Sequence, residues 1–279
     1  MIAKPRWLRR NIISSAKIEG TRKVLRDFSI NTVCESAKCP NLCECFEKGV
    51  ATFITLGDIC TRGCRFCAVT AGTPSAPDPE EPAKIYEAIK GLHLEYVVIT
   101  SVTRDDLPDG GAGHYAATVR YLKERSNDIK IEALVPDLKG KAEYISEVCG
   151  SGIDVFAHNL DTVKRLHKSV KPNCDYYLSL CVLGKARDIS RGVIPTKSGL
   201  MLGLGETEED ILSTMRDLRN VGCGMITLGQ YLKPSPSRIE EREFISPKIF
   251  EKYKEIAYNL GFTRVSSGPF VRSSYHITR

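Results

Sequence analysis

Ala51-Thr52-Phe53-Ile54-Thr55-Leu56 leads through Gly57-Asp58-Ile59 into Cys60-Thr61-Arg62-Gly63-Cys64-Arg65-Phe66-Cys67. The apolar run has the length and β-branched content of a strand. The segment after it sets three thiols at C-x3-C-x2-C spacing on one short loop. Such spacing lets a single loop wrap one iron–sulfur cubane, so Cys60, Cys64 and Cys67 can ligate three irons of a four-iron cluster. The fourth iron is then open to a small molecule, much as catalytic zinc sites differ from closed structural ones by a free position. A structural zinc loop and chance clustering are the competing readings, although zinc ligands usually pair two and two.

Working outward from this strand and loop, apolar runs alternate with longer amphipathic stretches. Strands are expected at Ala51 to Leu56, Tyr96 to Thr100, Ile129 to Val135, Ile153 to Ala157, part of Ile194 to Leu204, and Met225 to Leu232. Helices are expected at Pro82 to Gly91, Gly113 to Arg125, Gly140 to Gly150, Asp161 to Val170, Asp175 to Ile189 and Thr207 to Val221, with a last one at Pro247 to Asn259. Strand–helix alternation predicts parallel βα units. About six units favour an α/β fold of the incomplete (β/α)6 TIM-type barrel class, with extensions at both ends. In that class the functional face lies at the C-terminal ends of the strands, where the Cys60 loop falls.

Three further loops on that face carry polar signals. The turn from Thr100 and Ser101 to Gly113 offers hydroxyls and glycine N–H groups to a ligand's ammonium and carboxylate, or is a plain surface loop. His158-Asn159-Leu160-Asp161 sets an amide and a carboxylate after a strand, where Asp161 either meets a ligand or caps the next helix. Ser198 to Thr207 is glycine-rich, allowing close backbone approach, and Thr207 with Asp210 fits a loosened capping box.

The chain has 279 residues with 42% hydrophobic and 27% charged side chains, ordinary values for a globular protein with a sizeable core. A formal charge of +6 is too mild to read as a nucleic-acid footprint, and a basic face for an acidic protein is equally compatible. No signal-peptide core or membrane-length apolar window is present, so a cytoplasmic protein is expected. The N-terminal stretch to about Ile30, with Ile12, Ala16 and Ile18 apolar, reads as a short helix or a solvated arm. Seven of the eleven cysteines crowd between Cys34 and Cys67, which points to metal ligation or redox chemistry rather than a disulfide framework. Cys34, Cys39 and Cys45 stand at C-x4-C-x5-C, and Pro40-Asn41 supplies a turn that curls the thiols toward one centre. A second three-thiol cluster site, a redox disulfide and a zinc loop all remain open for this segment.

The Cys60 trio resembles the signature of radical S-adenosylmethionine enzymes, in which the open iron chelates the cofactor's methionine part and an aromatic at the position of Phe66 borders the adenine. The chain as a whole resembles the lipoyl synthase family. The resemblance rests on both cysteine trios, on Ser101-Val102-Thr103-Arg104-Asp105-Asp106-Leu107-Pro108-Asp109-Gly110-Gly111, and on Arg272-Ser273-Ser274-Tyr275, and it runs from about Thr32 to His276. It implies two 4Fe-4S clusters, one on Cys60, Cys64 and Cys67, the other an auxiliary cluster on Cys34, Cys39, Cys45 and a serine, Ser274 favoured over Ser273. It also implies S-adenosyl-L-methionine near Phe66, Thr100, Ser101, Asn159 and Asp161. The implied reaction inserts two sulfur atoms, drawn from the auxiliary cluster, at C6 and C8 of a protein-bound octanoyl-lysine chain.

The expected division is residues 1–50 for the auxiliary ligands, 51–232 for the radical barrel and 233–279 for the serine-bearing extension. Implied partners are octanoylated lipoyl carrier domains (2-oxoacid dehydrogenase E2 or glycine cleavage H protein), a flavodoxin- or ferredoxin-type electron donor, and an iron–sulfur cluster assembly or carrier protein, with no nucleic acid and no membrane. Cys43 stands where the family usually has glycine, Asp161 where it usually has Glu, and the wording of Lys233 to Glu243 also departs from it. The alternatives are another two-cluster radical enzyme for sulfur insertion or methylthiolation, and an iron–sulfur electron carrier, which would not need six βα units.

Overall fold

In the computed structural model, which describes residues 3–9 and 15–274, the basic N-terminal stretch is helix α1 (Ala16–Asp27). The Ser15 hydroxyl caps it by accepting from the Ile18 N–H at 3.2 Å. Ile12 lies outside the described residues. The chain forms two units, one of Asn11–Gly63 and Ala68–Val155, the other of Met1–Arg10, Cys64–Cys67 and Phe156–Arg279.

In the first unit β1 (Asn31–Thr32), α2 (Val33–Ser36) and α3 (Leu42–Glu47) precede β2 (Thr52–Thr55). A two-residue parallel pair follows, β3 (Ile59–Cys60) with β4 (Thr70–Ala71), and then α4 (Glu81–Gly91), β5 (Tyr96–Ser101), α5 (Ala112–Arg125), β6 (Lys130–Leu134) and α6 (Ala142–Cys149). β2 pairs antiparallel with β1 and parallel with β5, and β5 pairs parallel with β6. All four residues of β2 are buried, which is why this strand reads as a continuous apolar run instead of alternating. The register Thr55↔Ser101 brings the loops after β2 and β5 out side by side. Leu56 turns the chain there at φ 69°, packs with Ile54 and Val102, and receives the Arg104 guanidinium on its carbonyl at 3.1 Å. Arg104 is almost fully buried and is neutralised by Asp106 at 2.8 Å, as a charge in that setting requires.

In the second unit β7 (Val155–Ala157), α7 (Lys164–Val170), α8 (Tyr176–Ile189), β8 (Thr196–Leu202), α9 (Glu208–Asn220), β9 (Met225–Gln230), α10 (Pro247–Asn259) and β10 (Arg264–Gly268) follow in order. β7–β8, β8–β9 and β9–β10 are parallel pairs. One core, including Leu183, Leu200, Met215, Ile226, Leu228 and Phe250, joins these strands to the helices that follow them. The capping box is present in full: Thr207 Oγ1 accepts from Asp210 N–H at 3.2 Å and the Asp210 carboxylate accepts from Thr207 N–H at 2.8 Å.

The α/β class expected, that of the incomplete (β/α)6 barrel, holds, and every expected strand and helix is present, with ends shifted by no more than about three residues. β10 is an addition. Its sequence Arg-Val-Ser-Ser-Gly has one apolar residue, too few to show a strand period, and it forms because β9 offers a free edge. Among the described residues no helix is long and apolar enough to cross a membrane.

Candidate iron–sulfur and cofactor site

Cys34 sits in α2, a single turn started by Thr32, whose hydroxyl accepts from Glu35 N–H at 3.3 Å. Cys39 N–H donates to Cys34 C=O at 3.0 Å, Leu42 N–H to Cys39 C=O at 3.2 Å and Cys45 N–H to Asn41 C=O at 2.9 Å, so backbone bonds alone curl the segment. Burial pushes the Cys34 thiol up to about 12, against a backbone hydrogen bond from Thr52, and the charges of Cys39 and Cys45 push it further. Cys39 and Cys45 thus both lie close enough to Cys34 to disfavour its thiolate. Cys43 falls inside the Cys39 to Cys45 gap. On α3 it is two residues from Cys45, and residues at that spacing face different sides of a helix.

The Cys60 to Cys67 loop is held differently, with no helix in it. In the first unit Gly72 N–H donates to Cys60 C=O at 2.9 Å, and Thr61 sends both its N–H and its hydroxyl to Thr103 C=O at 3.0 Å. Arg62 forks between two carboxylates: Nε and Nη2 reach Asp105 at 2.8 and 2.7 Å, while Nη1 and Nη2 bond Asp137, the latter at 3.1 Å. The fork holds the Asp105 carboxyl below its usual range. In the second unit Arg65 N–H donates to Val170 C=O at 3.0 Å, Cys67 N–H to Cys64 C=O at 3.1 Å, and Phe66 packs against a cluster of Val170, Leu204 and Tyr231. The Cys64 thiol is raised by a side-chain hydrogen bond with Cys174 and by burial; the Lys171 cation opposes this.

Of the expected cofactor contacts, Thr100 donates its hydroxyl to Leu134 C=O at 2.8 Å, whereas Ser101 Oγ beside it is buried with no hydrogen-bond partner among the described residues. In the second unit Asp161, at φ 67°, pairs with Lys171 at 2.8 Å, and Lys171 Nζ also donates to Asn159 C=O at 3.1 Å. Asp161 therefore does not cap α7, whose N-cap is Val163 with no side-chain bond. Burial works against the Lys171 charge, but Asp161 outweighs it and the amine is raised. Neither Lys171 nor the Arg62 fork stood out in the sequence. A lysine before proline is unremarkable, and Arg62 is overshadowed by its flanking cysteines.

The tail runs over two glycines. A Cβ on Gly199 of β8 would stand 2.8 Å from Thr227 Oγ1, 3.0 Å from Asn159 Oδ1 and 3.2 Å from Ser273 Cβ. One on Gly229 of β9 would collide with Val271 C=O. Arg272 fixes the crossing, its guanidinium donating to Gln230 C=O at 3.2 Å and Val271 C=O at 2.7 Å. Ser273 and Ser274 are half-buried, and Tyr275 and His276 lie outside the described residues.

All the cysteines are free thiols. Among the described residues no three His, Cys, Asp or Glu side chains converge on one metal ion. A cubane makes another demand, because each thiolate takes its own iron and the ligand sulfurs stand a cluster's width apart. Two three-thiol segments, and an unpartnered buried Ser101 hydroxyl at the C-terminal end of β5, fit two clusters and a polar cofactor.

The Radical SAM superfamily profile matches residues 54–218, more than half the chain. Solved structures with the same fold include methylornithine synthase (TM-score 0.59, 14% identity, 81% of this chain and 73% of that one) and the FeFe-hydrogenase maturase HydG from Carboxydothermus hydrogenoformans (TM-score 0.59, 13% identity, 89% and 63%). Fold and thiol loop together make this a radical SAM protein. The chain is 50% identical over 275 residues to the lipoyl synthase of Caldanaerobacter subterraneus subsp. tengcongensis (99% of this chain, 96% of that one). It is 49% identical over 278 residues to that of Proteus mirabilis (99% and 86%). Within the superfamily, it belongs to the lipoyl synthase family.

Proposed function

We propose that Cys60, Cys64 and Cys67 hold the radical-generating 4Fe-4S cluster and that Cys34, Cys39, Cys45 and Ser274 hold the auxiliary one. The activity is that of the family: two sulfur atoms are inserted into an octanoyl chain borne by a lipoyl carrier protein, using S-adenosyl-L-methionine and two 4Fe-4S clusters. When bound, these groups supply a 5′-deoxyadenosyl radical that removes hydrogen at C6 and C8, and the sulfur that replaces it.

The chain's own residues then position and exclude. The Arg62 fork fixes the thiol loop against the turns after β5 and β6, where a radical must meet its hydrogen within near contact. Phe66, set among Val170, Leu204 and Tyr231, offers an apolar wall to the adenine. The free Ser101 hydroxyl, with Thr100, suits the methionyl ammonium, and Asn159 with Asp161 suits a ribose or methionyl group. Gly199 and Gly229 admit the tail, and the close approach of Ser273 to Gly199 supports Ser274 over Ser273 as the cluster serine.

The observation that carries the assignment is the Cys34 to Cys45 segment, curled by its own backbone hydrogen bonds so that three thiols share one short stretch, in a chain that also has the Cys60 trio. It favours residues 1–50 as auxiliary-ligand region, 51–232 as radical barrel and 233–279 as serine-bearing extension, in a cytoplasmic enzyme. The carrier partner is an E2 domain or glycine cleavage H protein, the reductant a flavodoxin or ferredoxin, and an iron–sulfur carrier restores the auxiliary cluster. The test supplies S-adenosyl-L-methionine, reductant and an octanoylated carrier domain anaerobically and weighs the product. A gain of two sulfurs is expected, lost in Ser274→Ala but kept in Ser273→Ala; the reverse pattern would reassign the serine.

A further inference from the structure

Glu81, in the first turn of α4, has no part in the chemistry described above, yet one of its oxygens collects three groups at the exit of β2. Oε2 accepts from Leu56 N–H at 2.8 Å, lies 2.7 Å from His114 Nε2 and also receives the Thr55 hydroxyl. Burial works against the Glu81 charge, but the bonds from His114, Leu56 and Thr55 outweigh it and hold the carboxyl below its usual range. An ionised carboxylate only accepts, so His114 donates through Nε2–H. All these residues belong to the first unit.

Leu56 is the residue that needs such a hold. It lies just past Thr55, the last residue of β2 paired with β5, and four residues before Cys60. Its φ of 69° is uncommon for a residue other than glycine, and a backbone of that kind persists only when its surroundings over-determine it. Glu81 fixes the N–H, Arg104 fixes the C=O at 3.1 Å, and the side chain lies so close to Gly111 that a Cβ there would collide with Cδ1. Of these three holds, only that of Glu81 comes from outside the turn after β5.

We propose that Glu81, backed by His114, is a positioning residue for the radical step: its carboxylate sets the direction in which the chain leaves β2 and so the place of Cys60. It acts through Leu56 and not on the reacting atoms. Without it the Leu56 N–H loses its partner and the chain relaxes from the left-handed conformation. The loop still offers its thiols to iron, but the cluster is displaced from Thr100 and Ser101 on β5. Such a displacement lowers rate more than binding, because near contact matters most for the bond that breaks.

The role in the radical step rests on Cys60, Cys64 and Cys67 as cluster ligands, whereas the hold on Leu56 does not. Amide hydrogen exchange on the iron-free full-length chain reads the hold alone: Leu56 is expected to exchange slowly in the unsubstituted chain and in Glu81→Gln, and fast in Glu81→Ala. The iron-loaded enzyme is then assayed for 5′-deoxyadenosine, normalised to bound iron. Glu81→Ala is expected to lower kcat about tenfold while KM for S-adenosyl-L-methionine stays within about twofold. Glu81→Gln keeps an acceptor oxygen without the charge and should stay within about threefold of the unsubstituted enzyme. Glu81→Asp, one methylene shorter, should match the alanine variant and serves in its place if that chain does not fold. An alanine or aspartate variant with unchanged kcat, or a glutamine variant as slow as either, overturns the proposal. Exchange as expected in a chain that loads no cluster at the loop overturns the ligand assignment, and with it the role in the radical step, while the hold on Leu56 stands.

Discussion

The two three-thiol segments present their cysteines by opposite means. Cys34 to Cys45 is shaped by its own backbone, through a capped turn at α2, a Pro-Asn turn and α3, with bonds between residues close in sequence. Cys60 to Cys67 has almost no internal bonding and is held by distant partners, Arg62 to Asp105 and Asp137 and Thr61 to Thr103. A locally built site keeps its form when remote residues change. A clamped site depends on them.

Removing ligands should have the largest effect and should separate the two segments. Cys64→Ala is expected to lower iron from about eight to about four per chain and abolish cleavage of S-adenosyl-L-methionine. Cys34→Ala should lose a similar amount of iron while cleavage survives and sulfur insertion stops; equal loss of cleavage in both variants would mean the two sites are not independent. Next comes Arg62→Ala, which leaves the nearly buried Asp137 and its neighbour Asp105 facing each other without the guanidinium. A loss of about 3 kcal/mol in unfolding free energy is expected, with the loop cluster released and the auxiliary iron retained. Retention of both clusters would break the contrast between clamped and self-built segments. Arg62→Lys, which keeps the charge but not the fork, should fall between.

Gly229→Ala tests the tail, since a methyl there meets the Val271 carbonyl, a backbone atom that cannot turn aside. It should cost about 1–3 kcal/mol and reduce sulfur insertion more than cofactor cleavage, read as a ratio of lipoyl product to 5′-deoxyadenosine. The smallest effect serves as a baseline. Thr207→Ala removes the α9 cap at about 1 kcal/mol and should lower thermal stability without changing the iron content of either segment. Arg165, ahead of the Thr207 N–H, holds the Asp210 carboxyl down to about 2 from 3.8. The stability this gives is present above pH 3.8 and lost as pH falls through about 2, so Asp210→Asn should flatten the acid limb of an unfolding profile.

The alternation of apolar runs from Ala51 to Leu232 was sufficient to read the βα units, because buried parallel strands and amphipathic helices carry strong periodic signals. Both cysteine trios were legible because their spacing is local. The fork at Arg62 and the Lys171–Asp161 pair were not, since each depends on residues that only the fold brings together. Asp161 illustrates the point: its place before a helix suggested a cap or a ligand contact, and the structure gives it a buried lysine. β10 was hidden because Arg264 to Gly268 has little apolar content of its own and takes its strand form from β9.

The seating of Val271 to Ser273 over Gly199 and Gly229 has a consequence for how the protein is made. Translation delivers β8 and β9 well before the tail, and the apolar core of the second unit is complete by Val265. A nascent chain halted after Gly268 would possess every residue of that core and all the cysteines, yet neither serine of the tail. Quality control that senses only exposed apolar surface would pass such a product. On the proposed Ser274 assignment, such shortened chains are expected to fold and to bind carrier domains without inserting sulfur, which expression of a chain ending at Gly268 would check.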